Sequence, residues 1–204
     1  RNGFTLTGGS TNANLCCESG FEYVAWAWKA GGAPTADNNN TSGSMDANSV
    51  SIDGVLQSAY TPSGSPSIYP KKMSIGTRQG FSIVEYTGVG DGSTETVSHG
   101  LSEDPDFIII KNVDSTTDWA IYHRSAGTGK SLKFTTDGID GTSMFSDTNP
   151  AGGIVTLKEN SNRVNNPFDY IMYAWHDVPG LQKFGTYEGN NNSNGPFVHL
   201  GFNP

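Results

Sequence analysis

Short apolar runs separated by turn residues make up most of this 204-residue chain. Residues 107–110 (FIII) form a continuous apolar run, which is typical of a strand in the middle of a sandwich with both faces covered. Long helical periods are absent, so the pattern predicts an all-β fold, a jelly-roll-like β-sandwich of antiparallel strands. Further paired strands and their turns are predicted at residues 119–123, 131–135 and 153–157, with turns at 127–129 and 137–138.

An internal repeat accompanies this pattern. Residues 23–29 (YVAWAWK) match residues 170–176 (YIMYAWH) at the aromatic and β-branched positions. Both runs predict core strands whose two faces are covered. Repeated strands in a constant order predict a duplicated fold with unequal copies. The flanking matches are residues 4–6 with 155–157 and residues 83–88 with 184–189.

The two copies differ by a long insertion after Lys29, at about residues 30–79. Its first half has linker composition, whereas residues 50–54 predict a short strand and a turn. We therefore expect an ordered excursion at the surface and not a separate domain. The repeat divides the chain as expected for a segment of a tandem array. The predicted parts are a first copy at 1–104, a central complete β unit at 105–180 and the start of a following unit at 181–204.

Composition and charge narrow the classes of partner. Glycine accounts for 26 residues and charged residues for only 16% of the chain, which suits short strands joined by many turns. The net charge is −8 and the basic residues are scattered, which argues against binding to nucleic acid or to an anionic membrane. No apolar run approaches the roughly 18 residues of a membrane span, so no membrane insertion is expected.

Several motifs, in their order and spacing, resemble a domain family of uncharacterised function in phage structural and tail-fibre-like proteins, abundant in marine and cyanobacterial phages. The resemblance implies a virion component such as a fibre, spike or decoration, with β-sandwich units and carbohydrate-binding surfaces. It supplies no catalytic residues. The motifs are YVAWAWKAGG (23–32), VSIDG (50–54), GFSIVEYTG (80–88), VSHGL (97–101), FIIIKN (107–112) and WAIYH (119–123).

Patterns for catalysis and metal binding are weak. Glycoside hydrolysis needs two carboxylates held about 5–9.5 Å apart, and Glu85 and Glu188 occupy only nearby repeat positions. The four histidines are far apart in sequence and no nucleophile motif is present. Adjacent Cys16 and Cys17 disfavour a mutual disulfide and supply too few ligands for a metal. The sequence predicts no catalytic residue and no cofactor; calcium is the alternative at Asp-rich turns 91–92, 104–106 and 137–141.

Aromatic residues near position 120 predict a binding patch. Trp119 and Tyr122 stand beside polar Asp118, His123 and Arg124, a combination that suits stacking on a sugar ring with flanking hydrogen bonds. Core packing is the competing role, above all for Trp119. The predicted binding residues are therefore Trp119, Tyr122, His123 and Arg124.

Together these patterns predict a non-enzymatic structural component of a phage particle or an extracellular fibre, located in the virion or outside the cell. Its expected partners are further copies of itself, as a homo-oligomer or fibre, and host surface glycans. One alternative is a carbohydrate-binding module of a secreted or cell-surface protein. A glycan depolymerase is the other alternative, although no residue pattern in the sequence supports it.

Overall fold

The computed structural model describes residue 20, residues 22–134 and residues 139–203. These residues form eleven strands and one turn of 3₁₀ helix, Arg124–Ala126, so the predicted all-β fold is confirmed. The strands are β1 Val50–Ile52, β2 Val55–Leu56, β3 Lys72–Gly76, β4 Phe81–Thr87, β5 Glu95–Ser98, β6 Phe107–Asn112, β7 Ala120–His123, β8 Ser131–Leu132, β9 Ile139–Asp140, β10 Ile154–Leu157 and β11 Asp169–Trp175.

Nine strands form one large mixed sheet in the order β2-β1-β3-β4-β11-β6-β7-β8-β9. Strands β1 and β3 run parallel, whereas the central strands β4, β11, β6 and β7 pair antiparallel. Strands β5 and β10 form a second, two-stranded antiparallel sheet. Its residues Val97, Val155 and Leu157 are fully buried in one core cluster with side chains of the large sheet, so the small sheet covers one face of the large one.

Alternation along the central strands builds this core. In β11, Tyr170, Met172 and Ala174 are fully buried, and the register sets Tyr170 beside Tyr86 of β4. Their two rings stack at 5.2 Å between centroids. The inward side chains of the large sheet include Val50, Met73, Ile75, Val84, Tyr86, Ile108, Ile110, Ala120, Tyr122, Tyr170, Met172 and Ala174.

Several strand predictions are confirmed. Strand β6 lies between β11 and β7, as the apolar run at 107–110 predicts for a central strand. Strand β7 pairs with β8 through Ile121 and Leu132, and β10 occupies the predicted run at 153–157. The strand and turn expected at 50–54 are present as β1 and its turn, where Asp53 and Gly54 both have positive φ.

The insertion at 30–79 is more than a surface excursion. It contributes β1, β2 and β3 to the large sheet, and its side chains Met45, Val50 and Ile68 are buried in the core. The large sheet also crosses the boundary predicted after residue 104, because β4 lies between β3 and β11. The residues of the two predicted parts therefore share one sheet and one core.

Residues 23–29 differ from the prediction most strongly. They form no strand, and Val24 and Trp26 are about four-fifths exposed, at 82% and 79%. The expected core strand with two covered faces is therefore wrong for this segment. The physical reason is pairing: β11, the matching run, already occupies the position between β4 and β6. The predictions at residues 4–6, Cys16, Cys17, Thr135 and 137–138 lie outside the described residues.

Candidate functional site

The face of the large sheet that points away from the small sheet is the outer face, and it changes character along the strands. At one end Phe81, Trp175 and Phe107 lie in register across β4, β11 and β6. Next come Ile83, Tyr173 and Ile109, and beyond them Glu85, Ile171 and Lys111. The outer face therefore runs from aromatic through aliphatic to charged side chains.

Trp175 is the centre of the aromatic end. Its ring stacks on Phe81 at 4.7 Å and meets Phe107 at 5.5 Å and Trp28 edge-on at 5.6 Å. Phe184 lies 6.5 Å from Trp175 and stacks on Phe107 at 5.4 Å. The indole Nε1 of Trp175 is buried and has no hydrogen-bond partner. This end of the face is thus an aromatic cluster, which Trp28 from before β1 and Phe184 from after β11 both contact.

A chain segment covers the edge of the face only in part. The carbonyl oxygen of Gly31 accepts a hydrogen bond from the Ser51 hydroxyl, and that of Gly32 accepts one from the Ser74 hydroxyl, both at 2.6 Å. A Cβ on Gly31 would lie 2.1 Å from the backbone oxygen of Ile75, so only glycine permits this close approach. Residues 30–34 are therefore fixed against β1 and β3, while the centre of the face stays open.

Two adjoining grooves lie in the open part of the outer face. Both are lined by Ile83, so they are continuous across β4. The first, of about 420 Å³, is lined by Ala30, Gly32, Ala33, Pro34, Lys72, Ser74, Ile83, Glu85 and Ile171. The second, of about 430 Å³, is lined by Trp26, Ala27, Trp28, Phe81, Ile83, Ile109, Trp119, Tyr173 and Trp175.

The second groove, the aromatic groove, offers contact area but little acid–base chemistry. It is lined by four tryptophans, and Trp26 and Trp28 are exposed by 79% and 53%. Neither a carboxylate nor an imidazole lines it. Apolar surface of this kind binds other apolar surface when water is released from both.

Trp119, the first of the predicted binding residues, lies on the outer face. It lines the aromatic groove, is 38% exposed, and packs edge-on against Phe134 at 6.0 Å. The ammonium of Lys111 lies 6.0 Å from its ring centroid, at the limit of a cation–π contact. Trp119 is therefore available for contact with a ligand or a partner.

Tyr122 is not part of an exposed patch, and the expectation that it is exposed is wrong. It alternates with Ile121 along β7 and points into the core, where it is 1% exposed. Its hydroxyl donates to the Asn149 side chain at 2.9 Å, and its ring packs edge-on against Phe145. Trp119 lies just before β7 and is partly exposed, whereas Tyr122 lies within β7 and points into the core. The two rings are therefore near in sequence but not on one surface.

His123 and Arg124 fix the end of β7. The Nδ1 atom of His123 accepts a hydrogen bond from the backbone N–H of Ser125 and caps the 3₁₀ turn. The guanidinium of Arg124 pairs with Asp106 at 2.7 Å and donates to the carbonyl oxygen of Asp104 at 3.0 Å. These contacts give both side chains a structural role, and those of Arg124 engage the turn at 104–106, one of the turns predicted as alternative calcium sites.

We expect Arg124→Ala to lower the free energy of unfolding by about 1 kcal/mol, because it removes a partly exposed ion pair with Asp106 and the hydrogen bonds to the carbonyl oxygens of Asp104 and Pro105. Urea unfolding followed by fluorescence measures this change. Lys130→Ala, on an exposed lysine of the next turn, is the control and should have no measurable effect. Equal unfolding curves for the two variants would contradict the structural role of Arg124.

Potential metal ligands are not clustered in the described part of the chain. Within it, no group of three or more histidine, cysteine, aspartate or glutamate side chains is placed to hold a metal ion. Glu85 lies 3.8 Å from Lys72, which also pairs with Asp37 at 2.7 Å. These carboxylates belong to ion pairs at the charged end of the outer face. In the described ranges, no helix has the length and apolar character needed to cross a membrane.

Comparison with known families gives one match. Residues 57–204 match the family described as Domain of unknown function (DUF7483). The chain belongs to the DUF7483 family. No curated protein and no solved structure matches the sequence. The matched residues 57–204 include β3 to β11 and hence the strands of the outer face. Trp26 and Trp28 precede the matched residues.

Sequence reasoning missed the outer face of the DUF7483 domain. Its apolar positions Ile83, Ile109 and Tyr173 alternate with the core positions of β4, β6 and β11. The signal was present, because runs that are apolar at every position need cover on both faces. The sequence predicts strands with both faces covered, whereas the structure places a second sheet on only one face.

Proposed function

We propose that this chain is a structural, non-enzymatic β domain of a phage particle or an extracellular fibre, and that it acts by self-association through its outer face. The observation that supports this proposal is the row of aromatic and aliphatic side chains on that face, together with Trp26, Trp28 and Trp119, which line the aromatic groove and are exposed. The phage or extracellular setting comes from the motif resemblance described above. Host-surface attachment is part of the same proposal.

The physical argument for self-association is the cost of leaving such a surface in water. Clusters of exposed apolar side chains on a soluble protein often mark an interaction surface. Burial of apolar surface contributes about 25 cal/mol per Å², and tryptophan is enriched among the residues that dominate binding energy. A partner that covers the aromatic groove would gain from the tryptophans that rim it.

Carbohydrate binding is the second candidate, favoured by the exposed indoles of Trp26 and Trp119 beside one groove. Sugar rings stack on such indoles, but their hydroxyl groups also need hydrogen-bond partners. The groove supplies the Tyr173 hydroxyl and indole N–H groups and no charged side chain. This lining suits an apolar protein surface better than a glycan.

The test is the oligomeric state of the chain over a wide concentration range, by sedimentation velocity and light scattering. We expect association that Trp119→Ser combined with Phe134→Ser weakens about tenfold or more, because both rings lie at the rim of the outer face and both are exposed. Val55→Ser, on a 63% exposed valine of β2, is the matched control and should leave association unchanged.

A monomer at every concentration would contradict self-association. Specific glycan binding on an array, lost in Trp119→Ala while the oligomeric state stays the same, would favour the carbohydrate-binding candidate instead. Release of reducing sugar from a bacterial polysaccharide would contradict the non-enzymatic assignment.

A further inference from the structure

A pocket of about 660 Å³ lies beyond the charged end of the central strands, between the loop that follows β6 and the loop that precedes β11. We call it the polar pocket. Thr117 and Asp118 of the first loop line it on one side, and residues 158–163 and Asn166 line it on the other. Met144 is the only apolar residue of the lining. The polar pocket thus has the size of a small-molecule site, about 300–1,000 Å³, and the opposite character to the aromatic groove.

One buried side chain holds both walls of the polar pocket. Asn112, the last residue of β6, is fully buried. Its side-chain oxygen accepts a hydrogen bond from the backbone N–H of Asp114 at 2.9 Å, in the first loop. Its Nδ2 atom donates to the carbonyl oxygen of Asn162 at 2.6 Å, in the second loop. The distance between the two walls is therefore set from within the core.

Two buried tyrosines fix the second wall further. The Tyr86 hydroxyl donates to the carbonyl oxygen of Val164 at 2.8 Å. The Tyr170 hydroxyl donates to the carbonyl oxygen of Asn162 at 3.2 Å and accepts from the backbone N–H of Asn166 at 3.0 Å. Both rings are fully buried. The second wall is therefore held in place before any ligand arrives, which reduces the ordering cost of binding.

The lining of the polar pocket suits a ligand that is polar but uncharged. Its four charged side chains are Asp118, Lys158, Glu159 and Arg163, whose charges cancel. Lys158 and Glu159 also pair with each other at 3.6 Å. Asp118, Asn160 and Asn162 are exposed and supply carboxylate and amide groups. Such groups match sugar hydroxyls, because an amide both donates and accepts and a carboxylate accepts.

We propose that the polar pocket binds a neutral sugar unit of a host-surface glycan, through hydrogen bonds from Asp118 on one wall and from Asn160 and Asn162 on the other. The inference rests on the host-surface attachment in the proposed function and is independent of self-association. It assigns glycan and protein contacts to different surfaces. The aromatic groove has few hydrogen-bonding groups for sugar hydroxyls, whereas the polar pocket is lined by them.

The experiment uses the full chain on an array of neutral hexose and N-acetylhexosamine oligosaccharides together with sialylated ones. We expect neutral oligosaccharides to bind. Asp118→Ala combined with Asn162→Ala should weaken the binding of the best of them about tenfold or more in isothermal titration calorimetry, because hydrogen bonds are lost on both walls. Both side chains are exposed, so the variant should keep the urea midpoint of the original chain.

The matched control is Glu103→Ala combined with Asn192→Ala. It removes one carboxylate and one amide from exposed side chains that do not line the polar pocket. This variant should bind the same oligosaccharide with unchanged affinity. An equal loss in the two double variants would overturn the polar pocket as the binding site.

The other outcomes separate this inference from self-association. If no glycan on the array binds, the inference is wrong, and self-association is judged on its own measurement. If only sialylated glycans bind, the neutral ligand is wrong. If binding is lost in Trp119→Ala but kept in the Asp118 and Asn162 variant, the glycan lies in the aromatic groove and the polar pocket is overturned. If the chain is a monomer but loses glycan binding in that variant, self-association is wrong and this inference stands.

Discussion

Tyr86→Ala is expected to lower the free energy of unfolding by about 3–5 kcal/mol, the range seen when a large aromatic side chain is removed from a core. Tyr86 is fully buried, stacks on Tyr170 at 5.2 Å, and donates its hydroxyl hydrogen to the carbonyl oxygen of Val164 at 2.8 Å. Burial and the neighbouring Tyr170 raise the pKa of the Tyr86 phenol well above its usual value, so it is neutral throughout the physiological range. Its removal leaves a cavity between the two sheets and an unsatisfied carbonyl group.

An exposed tyrosine in a similar sequence environment offers a matched control for this prediction. Tyr187 lies in residues 184–189 (FGTYEG), which resemble residues 83–88 (IVEYTG), and it is 73% exposed. Tyr187→Ala should therefore change the unfolding free energy of the monomer by less than about 0.5 kcal/mol. Tyr86→Phe keeps the ring and loses one hydrogen bond, for an expected cost of about 1 kcal/mol. Similar urea midpoints for Tyr86→Ala and Tyr187→Ala would contradict the described core.

Stability is expected to fall by about 3 kcal/mol as the pH decreases from 6.5 to 4, because of His99. Burial lowers the pKa of this imidazole from 6.5 to about 4; nearby His176 lowers it further, and Asp104 opposes the shift. The Nδ1 atom accepts a hydrogen bond from the backbone N–H of Leu101 at 3.2 Å, so a second ring proton would face another donor. The buried Nε2 atom has no hydrogen-bond partner.

The sign follows from proton uptake in the two states. Above pH 6.5 neither state binds a proton at His99, so the residue adds no pH dependence. Between pH 6.5 and 4 the unfolded chain is protonated and the folded chain is not, so protons favour unfolding. Below pH 4 both states are protonated and the loss is complete.

Urea unfolding at a series of pH values measures this dependence. Carboxylates also titrate toward pH 4, so the informative quantity is the difference between the original chain and His99→Gln. We expect that difference to change by about 3 kcal/mol across the range. His199→Gln, on an exposed histidine, should keep the original slope. Parallel curves for the original chain and His99→Gln would refute the assignment.

Local pattern was enough to predict the strands of the core. Residues 107–110 and 170–175 have the apolar density of central strands, and both occupy the middle of the large sheet. Their fold is determined by burial of the alternating inward positions, which is visible in the sequence. The same reasoning predicted the short strand and turn at residues 50–54.

Pairing could not be predicted in the same way. Residues 23–28 have nearly the same pattern as β11, yet one is exposed and the other buried. An extended segment is a strand of a sheet only when a neighbouring strand pairs with its backbone N–H and C=O groups. Of the two similar segments, residues 170–175 are the ones that pair with β4 and β6. The local sequence of the two segments does not indicate which of them pairs with β4 and β6.

Only part of the candidate site could be predicted from the sequence, because the direction of a side chain depends on where its strand begins. Trp119 reaches the outer face, whereas Tyr122 points into the core, because β7 begins after Trp119 and its alternation decides the direction of each side chain. The exact start of a strand is poorly determined by composition. The insertion at 30–79 was likewise underestimated, since its buried residues Met45, Val50 and Ile68 are spaced too widely to form a recognisable period.

The change along the outer face from aromatic to charged side chains gives the domain a direction. Two copies that met face to face with opposed directions would bury Glu85 and Lys111 of one copy under the aromatic cluster of the other, and buried charges without partners are costly. Copies aligned in the same direction avoid that cost. An assembly formed through this face would then be polar, with two chemically different tips, and growth or attachment at one tip need not resemble that at the other.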